Sequence, residues 1–283
     1  DGDGRAELAI GFNRDNDRGT DAGTVAIFAS PVTGDLTLDD AMHISAAGPG
    51  DRAGTAIAAL GDVNGDGIDD IAITAPYAES KPPSSPFGGA DDALVDVGAV
   101  YVVNGPIIRD IYLDDADGIL TGATAHDRIG DALGHTGDLN GDGLADLAVG
   151  APLLDGDYAN QGGAYIVDGP ANRRASLAGA RLRLHGGDGP EEAGTAVVGT
   201  NDTDGDGVPE VAIGAPRARG GAGAVYLVRG DRSGTLALGD ADVVFVGEAP
   251  GDLLGSAVAA GVDVDVDGLG DLLIGAPGND TAA

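Results

Sequence analysis

The chain predicts an all-β fold built from a repeated unit of four short strands. Three observations carry that expectation. A nine-residue acidic loop recurs five times, and each copy runs straight into a short apolar run rich in β-branched residues, the signature of a strand. The position-5 acids of the loops are Asp3, Asp66, Asp142, Asp206 and Asp267, giving spacings of 63, 76, 64 and 61 residues; periods of this kind belong to stacked or radial arrays of one multi-strand unit. Gly makes up 51 of 283 residues, more than twice the usual share of about 7%, without a collagen-like triplet, so it serves turns and close backbone approaches.

Taken in order, the first repeat (1–50) opens inside its loop and lacks a first strand. The second (51–126) reads as strands at Gly54 to Leu60, Asp70 to Thr74, Gly98 to Val103 and Gly118 to Thr121. The third (127–190) gives Gly130 to Thr136, Asp146 to Gly150, Gly163 to Val167 and Arg181 to His185. The fourth (191–250) gives Gly194 to Gly199, Glu210 to Gly214, Gly223 to Val228 and Asp242 to Val246. The fifth (251–283) stops after its second strand.

The loop of the second repeat shows the chemistry. Asp62, Asn64, Asp66 and Asp70 stand at positions 1, 3, 5 and 9, with the backbone carbonyl of Ile68 at position 7. Alternating oxygens suit Ca²⁺, which takes six to eight oxygen ligands in a flexible shell. Gly67 follows the position-5 Asp, where a tight wrap favours a conformation cheap only for Gly. An EF-hand would need Glu at position 12 and then a helix; position 12 here is Ile73, inside a strand-like run. The loop is therefore expected to hold calcium between two strands. Asp138, Asn140, Asp142, Leu144 and Asp146 repeat it, as do Asp202, Asp204, Asp206, Val208 and Glu210, and Asp263, Asp265, Asp267, Leu269 and Asp271. Asp1, Asp3, Arg5 and Glu7 fill positions 3, 5, 7 and 9 of a partial fifth copy. Counting carboxylates, the Asp263 loop is expected to bind tightest and the Asp1 loop weakest.

The formal charge is −32, and the loop acids account for about half of the imbalance. A field of that sign repels nucleic acid and anionic lipid. No apolar run approaches the ~18 residues of a membrane span, and with no Cys there is no disulfide framework.

The order of a small x-Gly start, an Asp-rich loop, Gly-Ala-Pro and then Gly-Ala-Val-Tyr resembles the FG-GAP repeat, which builds the β-propeller of integrin α subunits and of many secreted bacterial proteins. Gly150-Ala151-Pro152, Gly214-Ala215-Pro216 and Gly275-Ala276-Pro277 match the second half of the name, and the second repeat has Thr74-Ala75-Pro76. The Phe-Gly half departs, standing as Ala53-Gly54, Ile129-Gly130, Ala193-Gly194 and Leu254-Gly255. The resemblance implies a β-propeller of four-stranded blades with calcium between strands one and two. About four and a half blades are visible, and a family propeller closes with about seven, inside the general range of four to eight. It further implies an extracellular or cell-surface, non-catalytic scaffold for adhesion or ligand binding. The competing readings are a module beside a secreted hydrolase such as a phospholipase, and a purely structural surface component.

Arg229-Gly230-Asp231 falls where sibling repeats carry Asn104-Gly105-Pro106 and Asp168-Gly169-Pro170, so it reads as a turn variant. The four His share no metal spacing, and no nucleophile motif appears. One insertion breaks the repeat: Tyr77 to Val97, with Lys81, Phe87 and several Pro. In a four-stranded blade it shares the face opposite the calcium loops with the blade-to-blade connections. Tyr77, Phe87, Tyr158, Arg217 and Arg219 gather there, and aromatic and Arg side chains most often dominate interfaces. A protein or glycan partner is expected at this face.

Overall fold

A computed structural model of the chain describes residues 3–46, 48–79, 96–156, 159–187 and 189–280. The strands follow the repeats. The first contributes β1 (Leu8–Phe12), β2 (Thr24–Phe28) and β3 (Met42–Ser45). The second contributes β4 (Ile57–Gly61), β5 (Asp70–Ala75), β6 (Ala99–Val103), β7 (Ile111–Tyr112) and β8 (Gly118–Thr121). From the third come β9 (Leu133–Gly137), β10 (Asp146–Ala151), β11 (Gly163–Val167), β12 (Arg174–Ser176) and β13 (Leu182–His185). The fourth supplies β14 (Ala196–Gly199), β15 (Glu210–Ala215), β16 (Ala224–Arg229), β17 (Gly234–Ala237) and β18 (Val243–Val246), and the fifth β19 (Ala257–Val262) and β20 (Asp271–Gly275).

Two compact units result, Asp1–Gly130 with Pro170–Ala178, and Asp131–Gly169 with Gly179–Ala283. The first holds sheets ordered β1-β2-β3-β7 and β4-β5-β6-β8-β12. The second holds β9-β10-β11-β13-β17, β14-β15-β16-β18 and the pair β19-β20. Within each repeat the strands run antiparallel in sequence order. The central strands β6, β11 and β15 are buried along their whole length. The unbroken apolar sequence of β6, Ala-Val-Tyr-Val-Val, is what a strand covered on both faces requires. One core in the first unit gathers Val25, Ile44, Ile73, Tyr101 and Leu113. Another in the second gathers Ile166, Leu182, Ile213, Tyr226 and Leu238.

Two features differ from the sequence expectation. The first strands begin at Ile57, Leu133 and Ala196 rather than at the preceding Gly. Gly54, Gly130 and Gly194 are left-handed, with φ of +83°, +95° and +88°, so the chain turns there before it extends. Three of the sheets also receive a strand that the four-strand pattern omits. β7 pairs in parallel with β3, β12 with β8, and β17 with β13. The added strand always comes from the connection between third and fourth strands of the following repeat. It covers the outer edge of the sheet, which would otherwise present unpaired N–H and C=O groups. A short 3-10 turn follows each added strand, and its leucine (Leu113, Leu177 or Leu238) is fully buried.

The position where the family carries Phe is filled by Ala53, Ile129 and Ala193, all buried. Consecutive repeats instead meet through glycines. A Cβ on Gly150 would lie 2.2 Å from the Gly194 carbonyl, and one on Gly214 2.1 Å from that of Gly255. At these two junctions the Gly of Gly-Ala-Pro and that of the next x-Gly are in backbone contact, with no room for a Cβ, whereas the second repeat sets Thr74 against Gly130.

Candidate metal centre

Each complete acidic loop joins the first strand of its repeat to the second, and the loop folds around its own position-1 carboxylate. Asp62 Oδ1 accepts N–H bonds from Gly65 (2.6 Å) and Asp66 (3.1 Å), and Oδ2 one from Gly67 (2.8 Å). Asp138 holds Gly141, Asp142 and Gly143 in the same way at 2.7, 3.1 and 2.7 Å. Asp202 accepts from Gly205 and Gly207, and Asp263 from Asp267 and Gly268. The position-3 oxygen accepts the position-5 N–H, as in Asn64 with Asp66 (2.9 Å). The position-5 carboxylate in turn takes the N–H of Ile68, Leu144, Val208 or Leu269. Positions 1, 3, 5 and 7 are therefore gathered in all four complete loops. In the partial loop Asp3 Oδ1 accepts the N–H of Arg5 at 2.8 Å, and Asp1 lies outside the described residues.

Position 9 closes the loop from its buried side. Asp70, Asp146 and Glu210 are almost wholly buried. Asp70 accepts N–H bonds from Val63 (3.0 Å) and Gly105 (2.8 Å), and Asp146 from Leu139 (3.1 Å) and Gly169 (2.9 Å). The Asp271 carboxylate takes the Val264 N–H at 2.6 Å. Burial first, then the neighbouring loop charges, push Asp70 and Glu210 above the ordinary carboxylate range, and burial does the same for Asp146. Asp62 is held below that range by the Gly67 amide. In the second, third and fourth repeats the loop thus keeps an ionised carboxylate at its mouth and one at its floor that gains from a nearby cation.

The donor set fits a hard cation. Ligand oxygens of Asp202, Asp204, Asp206 and Glu210 lie within 4.8 Å of one another, as do those of Asp263, Asp265 and Asp267. Two oxygens on one Ca²⁺ at 2.3–2.6 Å stand no farther apart than about 5 Å. Glu210 adds a sharper sign. Its Oε2 accepts from the Thr203 N–H (3.0 Å), while Oε1 is buried with no hydrogen-bond partner, a state that costs free energy unless something positive meets it. The bound ion would supply positive charge that offsets the crowded carboxylates. The chain's own part is to hold the oxygens in place through the amides that face them.

The arginines give the loops individual character. Arg229 pairs with Asp206 and, at 3.0 Å, with Asp231. Arg229-Gly230-Asp231 is therefore folded on itself against the fourth loop, as its turn reading anticipates. In the third repeat Arg181 pairs with Asp168 and stands 3.6 Å from the buried Asp146.

Val266 occupies position 4 of the fifth loop, where the siblings have Gly65, Gly141 and Gly205, and its φ is +64°. A β-branched residue is strained there. That strain counts against the tightest affinity expected of the Asp263 loop. Val266→Gly should relieve about 1 kcal/mol of it and tighten the fifth site severalfold in a calorimetric calcium titration; an unchanged or weaker site would contradict this.

On the opposite connections, Tyr77 lies between two guanidinium groups, Arg52 at 4.3 Å and Arg128 at 4.4 Å from the ring centre. Arg217 Nε is 2.9 Å from Glu192 Oε1. With Arg219, it lines a cavity of about 500 Å³ over Glu191 and Tyr226, whose hydroxyl donates to Glu191 at 3.2 Å. Phe87, Tyr158 and most of the Tyr77 to Val97 insertion lie outside the described residues. Sequence reasoning missed the device that holds these connections. Asp51, Asp127, Glu191 and Asp252 each accept an N–H from three or four residues upstream, at 2.8–3.0 Å. The next residue, Arg52, Arg128, Glu192 or Leu253, is then left-handed. An acid three residues before the Gly of each of these x-Gly pairs was the available signal.

The FG-GAP repeat family matches residues 53–103, 130–167 and 193–228, each stretch running from an x-Gly start, through an acidic loop, to a third strand. The chain carries FG-GAP repeats. It is 30% identical over 237 residues to integrin alpha pat-2 of Caenorhabditis briggsae, covering 81% of this chain and 18% of that protein. It is 34% identical over 172 residues to integrin alpha-PS5 of Drosophila melanogaster, covering 59% and 15%. With integrin alpha-8 of Gallus gallus the figures are 38% over 115 residues, 40% and 10%. The FG-GAP chain thus spans under a fifth of the length of these relatives. Its fold is the all-β one of FG-GAP repeats in integrin α propellers.

Proposed function

We propose that this FG-GAP chain is a calcium-stabilised, non-catalytic scaffold for adhesion or ligand binding, working outside the cell or at its surface. The recurrence of one carboxylate loop in four complete copies, each organised by its own amides, supports the calcium part most directly. The ligands would be the oxygens at positions 1, 3, 5 and 9 and the position-7 carbonyl of each loop, in the five repeats bounded at 50, 126, 190 and 250. The similarity to integrin α subunits supports the scaffold part. The partner face would be the connections opposite the loops, with Tyr77, Phe87, Tyr158, Arg217 and Arg219 as contacts for a protein or glycan. Arg217 and Arg219 are both exposed at the cavity rim.

The test separates the two parts. Calorimetry with calcium alone should show binding that is reduced by Asp66→Ala, Asp142→Ala, Asp206→Ala or Asp267→Ala. The immobilised chain should retain a glycan or a purified extracellular protein from a defined panel in calcium. Arg217→Glu with Arg219→Glu should abolish that retention and leave the melting curve unchanged. Retention indifferent to the double change would move the partner off this face, and no calcium heat would remove the metal.

A further inference from the structure

The residue after the Ala-Pro pair holds the same structural position in the second and fourth repeats. Tyr77 N–H donates to the Asp51 carbonyl at 3.3 Å and Arg217 N–H to the Glu191 carbonyl at 3.2 Å. Beside them the left-handed Arg52 and Glu192 correspond in the same way. In the fourth repeat the position is a finished ion pair, with Arg217 Nε 2.9 Å from Glu192 Oε1. In the second repeat it is unfinished. Arg52 stands where Glu192 does, Arg128 enters from the following connection, and the two guanidinium groups share the Tyr77 ring. Two cations meet there, and among the described residues neither has a carboxylate in ion-pair contact.

The acids on the same connections are taken up elsewhere. Asp51 accepts the Gly48 N–H and Asp127 the Thr124 N–H, and the Asp96 carboxylate stands 3.7 Å from His126 Nδ1. Arg128 Nε is buried with no hydrogen-bond partner. Like charges on one ring repel, and the ring's negative face offsets only part of that. The pair is nevertheless held in place. Arg52 and Arg128 have φ of +56° and +48°, and their N–H groups donate to the Asp21 and Asp96 carbonyls at 3.1 and 3.2 Å. Arg52, Tyr77 and Arg128 are each half-buried. A guanidinium already fixed against a ring loses little further freedom on binding, and its N–H fork matches the two oxygens of a carboxylate.

We propose that Arg52, Tyr77 and Arg128 bind one carboxylate of a protein partner, an Asp or Glu side chain, which supplies the anion that Glu192 supplies in the fourth repeat. The inference rests on these connections being the partner face. The net charge of −32 disfavours a dense polyanion such as a sulfated glycan, since long-range repulsion grows with every charge added. A single carboxylate meets two cations at contact distance and carries only one charge into that field.

The whole chain in saturating calcium, isotope-labelled in its six Tyr rings, is titrated with the capped peptide acetyl-Gly-Gly-Glu-Gly-Gly-amide and followed by NMR. Tyr77→Phe identifies the Tyr77 signal. That signal should move in a saturable way with the Glu peptide and stay in place with the same peptide carrying Gln. Arg52→Gln and Arg128→Gln should each weaken binding by about 10-fold, with melting curves showing that each variant remains folded. Equal shifts with the Glu and Gln peptides overturn the proposal, as do folded variants that bind like the parent. A sulfated disaccharide that binds more tightly than the Glu peptide also overturns it, by assigning the cluster to glycan. If the ligand panel yields no partner while the Glu peptide still moves Tyr77, the carboxylate site stands and the scaffold reading fails alone.

Discussion

In a strong chelator the melting temperature of the FG-GAP chain should fall steeply, and added calcium should restore it. Asp70, Asp146 and Glu210 are buried beside other acids, and burial together with crowding disfavours their charged form. A cation bound only by the folded loop contributes about 2.7 kcal/mol per site at 100-fold excess over its dissociation constant. Four complete loops then contribute about 11 kcal/mol. At about 2–4 °C per kcal/mol for a domain of this size, the shift exceeds ~20 °C. Differential scanning calorimetry with and without chelator reads it directly. A curve that does not move would remove calcium from the account of the fold.

The second large effect belongs to a backbone contact. Gly162 has φ +75°, and a Cβ there would stand 2.3 Å from the Ala193 nitrogen and 2.4 Å from its carbonyl oxygen. Both neighbours are main-chain atoms joined in a parallel bridge, so neither can step aside cheaply. Gly162→Ala should cost about 3–5 kcal/mol, from left-handed strain together with the clash. Gly137 is the control: its φ is +66°, but a Cβ added there would meet nothing within 4 Å. Gly137→Ala should therefore cost only the conformational strain, about 1–2 kcal/mol. Urea midpoints in saturating calcium compare them, and equal costs would show that the close approach does not matter.

What could be read in advance was local. The ligands of each loop fall within nine consecutive residues, and the buried third strands of the second, third and fourth repeats announce themselves as apolar runs after Gly around Tyr101, Tyr165 and Tyr226, so loops, strand order and repeat family were all legible. The added strands were not. Ile44 meets Ile111 across a long stretch of sequence, and a two-residue strand has no periodicity to detect. The start of each first strand was misplaced because Gly54, Gly130 and Gly194 look like strand residues in an alternating pattern and are in fact turns. At the candidate partner face, Tyr77 was legible as an aromatic side chain in a connection. Its stacking between Arg52 and Arg128 depends on three separate connections meeting, which no local pattern encodes. The strain at Val266 was hidden for a different reason, since charge counting sees ligands and not the backbone between them.

The borrowed strands make the completion of a sheet depend on residues not yet synthesised. β3 can pair with β2 once Ser45 has left the ribosome, yet its outer edge stays open until Ile111 follows. The lag is about 65 residues, roughly 3–13 s at cellular elongation rates. Shorter lags of about 50 residues recur for β8 until Arg174 and for β13 until Gly234. A nascent chain of this kind always carries one unfinished sheet edge behind its growing end, so a stalled ribosome or a premature stop codon leaves a sticky strand rather than a shorter but sound protein.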